Sequence, residues 1–80
     1  MSVKLVFFGK LADLAGASET DVPGPLDWAG LLKAIDPALA AQVAGEKVRI
    51  ALNGGLLADK ALLAAADGDE VALLPPVSGG

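Results

Sequence analysis

The chain has no cysteine and no histidine among its 80 residues. Without thiols it can form no disulfide, thiolate zinc site or cysteine nucleophile, and without imidazole it lacks the usual general base. Zinc or acid–base chemistry would have to be built from carboxylates and lysines alone. We therefore expect that the chain is not a catalyst on its own.

Long apolar segments are also missing. The apolar run within the first eight residues is too short for a signal peptide or a membrane span, and later runs are interrupted by a charge or a glycine. We therefore expect a cytoplasmic protein with no membrane partner. Six basic against ten acidic residues give a net charge of −4, which disfavours nucleic acid and favours a basic protein partner.

The apolar content, 54% of the residues, is enough for one small folded domain and excludes a disordered chain. Local patterns predict strands over residues 3–8, 19–22, 48–52 and 70–74, a main helix over 27–35 capped by Asp27, short helical pieces over 11–15 and 39–43, and a small-residue connector over 61–66. The Asp36-Pro37 step should end the main helix, and Asn53-Gly54 should turn the chain into a brief return strand at residues 56–57.

This order of elements predicts an α+β fold, in which one main helix covers one face of a mixed sheet. The first and last strands are the most apolar, so we expect them to be neighbours at the centre of the sheet. That layout is the ubiquitin-like β-grasp. We assign the domain to residues 1–74 and an extended tail to residues 75–80.

The tail has the sequence Pro-Pro-Val-Ser-Gly-Gly and contains nothing that could form a core. An extended segment of this length reaches about 19 Å beyond the sheet. Gly79 and Gly80 place no side chain beside the terminal carboxylate, so the carboxylate could thread through a narrow channel of another protein. The alternative is a frayed terminus without a role.

Residues 67–80 resemble the closing segment of the small subunits of molybdopterin synthase, the MoaD-type sulfur carriers. The Phe7-Phe8 strand with the following Leu14-Ala15-Gly16 resembles the first strand and turn of that family, and Leu52-Asn53 resembles its central strand. The chain differs at Ala12, where the family usually has a basic residue, and at Leu73-Leu74, where aromatics are usual.

The resemblance implies a ubiquitin-like β-grasp that carries sulfur for molybdenum cofactor biosynthesis within a heterotetrameric synthase. An adenylating enzyme would activate the Gly80 carboxylate with ATP, and a sulfur donor would convert it to a thiocarboxylate. The tail would deliver this sulfur to a pterin precursor in the large subunit, by threading Pro75, Pro76, Val77, Ser78 and Gly79 into it. The chain itself would bind no cofactor and no metal.

Two groups of residues are predicted to contact partners. Phe7, Leu73 or Leu74 should present an exposed apolar face near the end of the sheet. The turn with Asp67, Asp69 and Glu70 is interpreted as a solvated loop that speeds docking to a basic partner, rather than as a metal site.

Other functions remain open at this point. The same tail chemistry could serve thiamine, tRNA thiolation or cysteine pathways, and the chain could also be a β-grasp interaction module with an inert tail. Trp28 lies on the apolar stripe of the main helix and is interpreted as a core residue.

Overall fold

The computed structural model describes residues 2–75, which form a five-stranded mixed sheet, a two-stranded ladder and three short helices. The strands are β1 (Ser2–Phe7), β2 (Glu19–Pro23), β3 (Leu26–Asp27), β4 (Arg49–Leu52), β5 (Gly55–Leu56), β6 (Ala64–Ala65) and β7 (Glu70–Leu74). The helices are α1 (Lys10–Ala15), α2 (Trp28–Ala34) and α3 (Pro37–Val43), and a 3₁₀ turn spans Lys60–Leu62.

The strand order in the main sheet is β2-β1-β7-β4-β5. Strand β1 pairs in parallel with β7, with Leu5 beside Val71, and the other neighbouring pairs are antiparallel. The predicted central pairing of the first and last strands is therefore confirmed, and the fold is a ubiquitin-like β-grasp. Helices α2 and α3 lie in the crossover between β1–β2 and β4, where a helical connection was expected.

The core forms between one face of this sheet and the helices. Along β1 the alternate residues Val3, Leu5 and Phe7 are buried, as expected for a strand with one face on the core. They belong to one apolar cluster with side chains from all three helices, Leu11, Leu31, Leu39 and Val43. Full burial of each such side chain stabilises the fold by about 1.5–3 kcal/mol before the entropy of ordering is counted.

Two aspartates set the starts of the crossover helices. The Asp27 side chain accepts a hydrogen bond of 2.7 Å from Gly30 N, which confirms the predicted cap of α2. The Asp36 side chain accepts one of 3.1 Å from Ala38 N, and Pro37 occupies the first turn of α3. The Asp36-Pro37 step thus separates two helices, as its sequence predicts.

The two-stranded ladder was not predicted. Residues 61–66 were expected to be a connector, and they do contain one 3₁₀ turn, but Ala64 and Ala65 pair with Asp27 and Leu26. Alanine has little strand preference, so a ladder of two residues is imposed by tertiary contacts and leaves no local signal. Leu63 and Ala65 are buried beside this ladder.

Trp28 is half-buried and packs against the core, as interpreted from the sequence. Lys60 Nζ lies 5.6 Å from the centroid of the Trp28 ring. The same ammonium donates a hydrogen bond of 2.8 Å to the Val43 carbonyl and another to the Gly45 carbonyl. Burial is the main reason that the pKa of Lys60 is lowered, with Glu46 opposing this effect and Arg49 adding to it. Lys60 thereby ties the end of α3 to the 3₁₀ turn.

Candidate functional site

The candidate site is the root of the C-terminal tail at Pro75, the residue that follows β7. Pro76, Val77, Ser78, Gly79 and Gly80 lie outside the described residues. Their roles as the threading segment and as the reactive terminus therefore stay predictions. The structure defines the strand that carries them and the surface around their starting point.

Strand β7 gives the tail a firm base. It is hydrogen-bonded to β1 on one side and to β4 on the other, and its inward side chains Val71 and Leu73 are buried. A central strand with both edges paired opens only with the global fold. Pro75 therefore leaves the sheet from a fixed position.

Gly9 lies against the first residue of the tail. Its backbone has a φ of 54°, a region that favours glycine, and a Cβ added there would be 3.2 Å from Cγ of Pro75. That distance is shorter than an ordinary carbon–carbon contact of about 3.5–4.0 Å. The turn between β1 and α1 can thus approach the tail root closely because residue 9 has no side chain.

A groove of about 380 Å³ runs beside Pro75 on the helix side of the tail root. Helix α1 contributes Lys10, Leu11, Asp13 and Leu14, and the far wall contains Gln42 and Val48. The groove is lined mainly by apolar atoms with one cation and one carboxylate. It places α1 directly beside the point at which the tail begins.

The expected exposure of Phe7 and Leu73 is wrong. Phe7 is 3% exposed and Leu73 is 0% exposed, because both side chains point from neighbouring strands into the core. Neither can contact a partner without repacking of the core. Leu74 is half-buried on the opposite face, and its contact with a partner stays a prediction.

The exposed apolar side chains near the tail root are Phe8 and Leu14, at 46% and 45%. Phe8 directly follows β1, and Leu14 lines the groove beside Pro75. The alternation along β1 could have identified Phe8, since burial of residues 3, 5 and 7 turns residue 8 outward. Leu14 was noted only as part of the short helix, whose pattern does not decide how much of it is covered.

The face of the sheet opposite the helices carries an apolar row. Cross-strand pairing places Val6 beside Ala72, Ala72 beside Ala51, and Ala51 beside Leu56. Leu56 is largely exposed, Val6 and Ala72 are half-buried, and Ala51 is nearly buried. We call this row with Leu74 the open face, and its apolar character is typical of protein interfaces.

The acidic turn is organised by its own backbone. The Asp69 carboxylate accepts a hydrogen bond of 2.8 Å from Ala66 N, and the Gly68 amide donates one of 2.8 Å to the Ser2 carbonyl. The hydrogen bond from Ala66 is the main reason that the pKa of Asp69 is lowered, with the Asn53 side chain second. Asp67 and Glu70 are exposed, as expected for a solvated loop.

Asn53 has a structural role that the sequence did not reveal. Its side-chain oxygen accepts a hydrogen bond of 2.9 Å from the backbone N of Glu70. The backbone N of Asn53 donates one of 2.8 Å to the Glu70 carbonyl. Its φ of 50° lies in the left-handed region, which Asn tolerates better than most residues. The turn after β4 is therefore joined to the first residue of β7.

Within residues 2–75, no group of three or more Asp and Glu side chains is placed to hold a metal ion. Across the same described range, no helix is long and apolar enough to cross a membrane.

The sequence profile of the ThiS family matches residues 5–80. The chain belongs to the ThiS family. This match includes the central strands, the helices and the whole C-terminal segment, so the sulfur-carrier class of β-grasp domains suggested by the tail residues is confirmed at the level of the family. A search of curated proteins returned no match.

Solved structures from this class are similar over the full length of the chain. SAMP1 from Haloferax volcanii is 34% identical, with a TM-score of 0.74 and 100% of each chain covered. The complex of subunits 1 and 2 of the molybdopterin-converting factor from Helicobacter pylori contains a chain that is 29% identical, with a TM-score of 0.68 and 100% of each chain covered. The putative molybdopterin converting factor subunit 1 from Pyrococcus furiosus is 27% identical, with a TM-score of 0.71, covering 96% of this chain and 99% of that one.

Proposed function

We propose that this ThiS-family chain is the sulfur-carrier subunit of a molybdopterin synthase. The observation that carries the proposal is the position of the tail. It continues from a buried central strand, starts at the surface beside Gly9, and ends in Gly79-Gly80. In a chain without cysteine or histidine, the terminal carboxylate is the group best suited to take up sulfur.

The proposed cycle has two steps on the chain itself. The Gly80 carboxylate attacks the α-phosphate of ATP in an adenylating enzyme and releases pyrophosphate, which leaves an acyl-adenylate. Hydrosulfide released by a sulfur donor then attacks the acyl carbon, forms its C–S bond and expels AMP, which leaves the thiocarboxylate. Adenylation is required because a carboxylate has no good leaving group of its own. ATP belongs to the activating enzyme, and this chain binds no cofactor in either step.

The large subunit of the synthase is the proposed partner, and the pterin precursor bound in it is the proposed sulfur acceptor. Likeness to a protein solved as a complex of subunits 1 and 2 of the molybdopterin-converting factor supports this partner. The open face with Leu74, and exposed Phe8 and Leu14 at the tail root, offer an apolar surface for it. The tail would enter the large subunit and place the thiocarboxylate beside the pterin precursor.

A second candidate keeps the activated carboxylate and changes the acceptor. Identity to SAMP1 is 34% over the whole of both chains, against 29% and 27% for the two molybdopterin-converting factor proteins. Solved relatives of that name are small archaeal modifier proteins. In this alternative a lysine amine of another protein would attack the activated Gly80 and form an amide. Carriers in thiamine, tRNA thiolation and cysteine pathways would keep the thiocarboxylate and transfer its sulfur to a different acceptor.

Intact-mass measurement tests the carrier chemistry. The chain is incubated with ATP, a sulfur donor and the adenylating enzyme encoded in the same genome, and we expect the mass gain of one oxygen-to-sulfur exchange at the terminus. A chain with a C-terminal amide is the matched control and should gain nothing. An unchanged mass for the native chain would contradict the proposal and favour an inert interaction module.

A second stage identifies the acceptor. Addition of the large subunit and pterin precursor should return the chain to its carboxylate mass with formation of the sulfur-containing pterin. Appearance of the chain in amide linkage to lysines of other proteins, without sulfur in the pterin, would instead support the modifier alternative.

A further inference from the structure

Two of the six cationic side chains of this acidic chain lie at the point where the tail leaves the sheet. Arg49 is the cross-strand partner of Leu74. Directly paired residues share a face, so Arg49 lies beside the tail root on the open face. Lys10 lines the groove with Pro75 on the helix side. Both cations are exposed.

Exposed apolar side chains accompany these cations. Phe8 and Leu14 are two of the four large apolar side chains that are exposed in the described part of the chain. Phe8 precedes Gly9, where an added Cβ would lie 3.2 Å from Cγ of Pro75, and Leu14 lines the same groove as Lys10. We call Phe8, Lys10, Leu14 and Arg49 the collar of the tail.

The charge at the two ends of β7 differs. The far end has Asp67, Asp69 and Glu70, with Asp21 and Lys4 on the neighbouring strands. That end therefore has four acids and one base by residue type. The collar has two cations, bordered by Asp13 in the groove and by Glu46, which lines a pocket with Arg49. Asp59 and Lys60 line that same pocket, so the charges around the collar balance by residue type, whereas the far end of β7 has an excess of three acids.

The length of the tail limits how far the partner's active site can lie from the collar. Five residues follow Pro75, and a fully extended chain of five residues spans at most about 18 Å. Any active site that acts on the Gly80 carboxylate therefore lies within that distance of Pro75. A channel of this depth brings the surface around its entrance against the residues that surround the tail root.

We propose that the collar docks on the rim of the adenylating enzyme's channel, and that this rim presents carboxylates to Lys10 and Arg49 around an apolar ring that contacts Phe8 and Leu14. The inference rests on the proposed function, because it requires the tail to enter a partner. It adds the chemistry of the partner surface: an acidic rim, where the net charge alone predicts a basic partner. The collar residues orient the tail and take no part in the chemical step.

The two cations should contribute unequally. The planar guanidinium of Arg49 can donate two parallel hydrogen bonds to one carboxylate, whereas the ammonium of Lys10 is a point charge that shares its groove with Asp13. Charges at the margin of an interface act mainly on the association rate, and salt screens them. We therefore expect a larger effect at Arg49 and a strong dependence on ionic strength at both positions.

The test measures the affinity of the full chain for the adenylating enzyme from the same genome, at low and at high salt. Arg49→Glu should bind about tenfold more weakly at low salt and Lys10→Glu about fivefold more weakly. Lys33→Glu reverses an exposed charge on α2 and is the matched control, with an expected change within about twofold. At high salt the affinities of the variants should approach that of the native chain, because salt screens their charges.

Thermal unfolding of each variant checks the fold, and Arg49→Gln replaces the reversal if Arg49→Glu does not fold. At saturating enzyme the variants should still gain sulfur mass, as expected for residues that orient the tail. Equal affinities of the collar variants and the control, or tighter binding by the collar variants, would overturn the inference while native mass gain leaves the proposed function intact. Failure of the native chain to gain mass would overturn the proposed function, and the collar inference with it.

Discussion

The two ends of strand β7 are fixed by different interactions. At Glu70, both backbone groups are hydrogen-bonded to Asn53, and the adjacent turn is fastened by the Asp69 carboxylate and by Gly68. At the other end, burial of Leu73 fixes the strand, and Pro75 packs against Gly9. Proline has no N–H to donate, so it cannot extend the ladder.

This difference separates the end of β7 that stabilises the fold from the end that carries the tail to a partner. A polar network sets the register of the strand where it begins, and an apolar anchor fixes it where it ends. Pro75, the residue after the last paired residue Leu74, leaves the sheet, so the chain can continue into a partner without breaking a hydrogen-bonded turn. Changes at the first end should therefore affect folding, and changes beyond the second end should affect function.

The sharpest separation is expected from deletion of Gly80. The deletion moves the carboxylate by up to about 3.3 Å, and such a displacement in a positioned reaction can reduce the rate by more than a hundredfold. Thermal unfolding should stay nearly unchanged, because surface changes of this kind usually alter stability by less than about 0.5 kcal/mol. Intact-mass kinetics and a melting curve give the two values. Lys33→Ala changes an exposed residue of α2, keeps the tail intact and should remain active, whereas a deletion variant with the native rate of sulfur gain would contradict this prediction.

The anchor at the tail end can be tested with two adjacent leucines. Leu73→Ala removes a fully buried side chain and should lower the free energy of unfolding by about 2–5 kcal/mol in a urea titration. Leu74→Ala, on the half-buried open face, should cost less than about 1.5 kcal/mol and weaken partner binding instead. Similar losses of stability for both variants would mean that the strand is not anchored through its inward face.

The network at the other end depends on Asn53. Asn53→Ala loses the acceptor for Glu70 N and places a Cβ-bearing residue without a local hydrogen bond at positive φ, so we expect a loss of about 2–3 kcal/mol. Asn53→Gly keeps the backbone conformation accessible and should lose less. Sulfur gain should remain in both variants below their melting temperatures. A larger loss for Asn53→Gly than for Asn53→Ala would argue against strain at this turn.

The smallest effect is expected from protonation of Asp69. Its folded pKa is lowered from the ordinary value of 3.8, so its contribution to stability is present above about pH 4 and is lost as the pH falls through the folded pKa. In urea titrations between about pH 5 and 2, the native chain should lose more stability than Asp69→Asn, which cannot titrate. Parallel curves for the two proteins would show that Asp69 makes no pH-dependent contribution.

Sequence patterns predicted most of the elements because their signals are local. Asp27 and Asp36 are caps whose hydrogen bonds span two or three residues, and the observed helices begin beside them. The apolar runs of β1 and β7 indicated a shared central position, and the structure pairs these strands in parallel. The boundaries differ by one residue in places, as for Phe8, which was predicted to end the first strand but lies one residue beyond the observed β1.

Exposure near the tail was harder to predict. Phe7 and Phe8 have the same side chain, and only the register of β1 on the core decides that Phe7 is buried and Phe8 is exposed. The pairing of Ala64 and Ala65 with β3 also depends on partners distant in sequence. The hydrogen bonds between Asn53 and Glu70 join residues that are 17 positions apart, so no local motif indicates them.

The sequence by itself determined the order of the elements, the α+β class, and a C-terminal segment without core-forming residues. Each of these follows from composition or from short-range periodicity, which a chain carries in any conformation. Tertiary structure alone decided which apolar side chains surround the tail root and brought Lys10 and Arg49 to it from positions far apart in sequence. The physical reason is that strand pairing and helix packing juxtapose residues through long-range burial, and burial depends on the whole core rather than on neighbours in the chain.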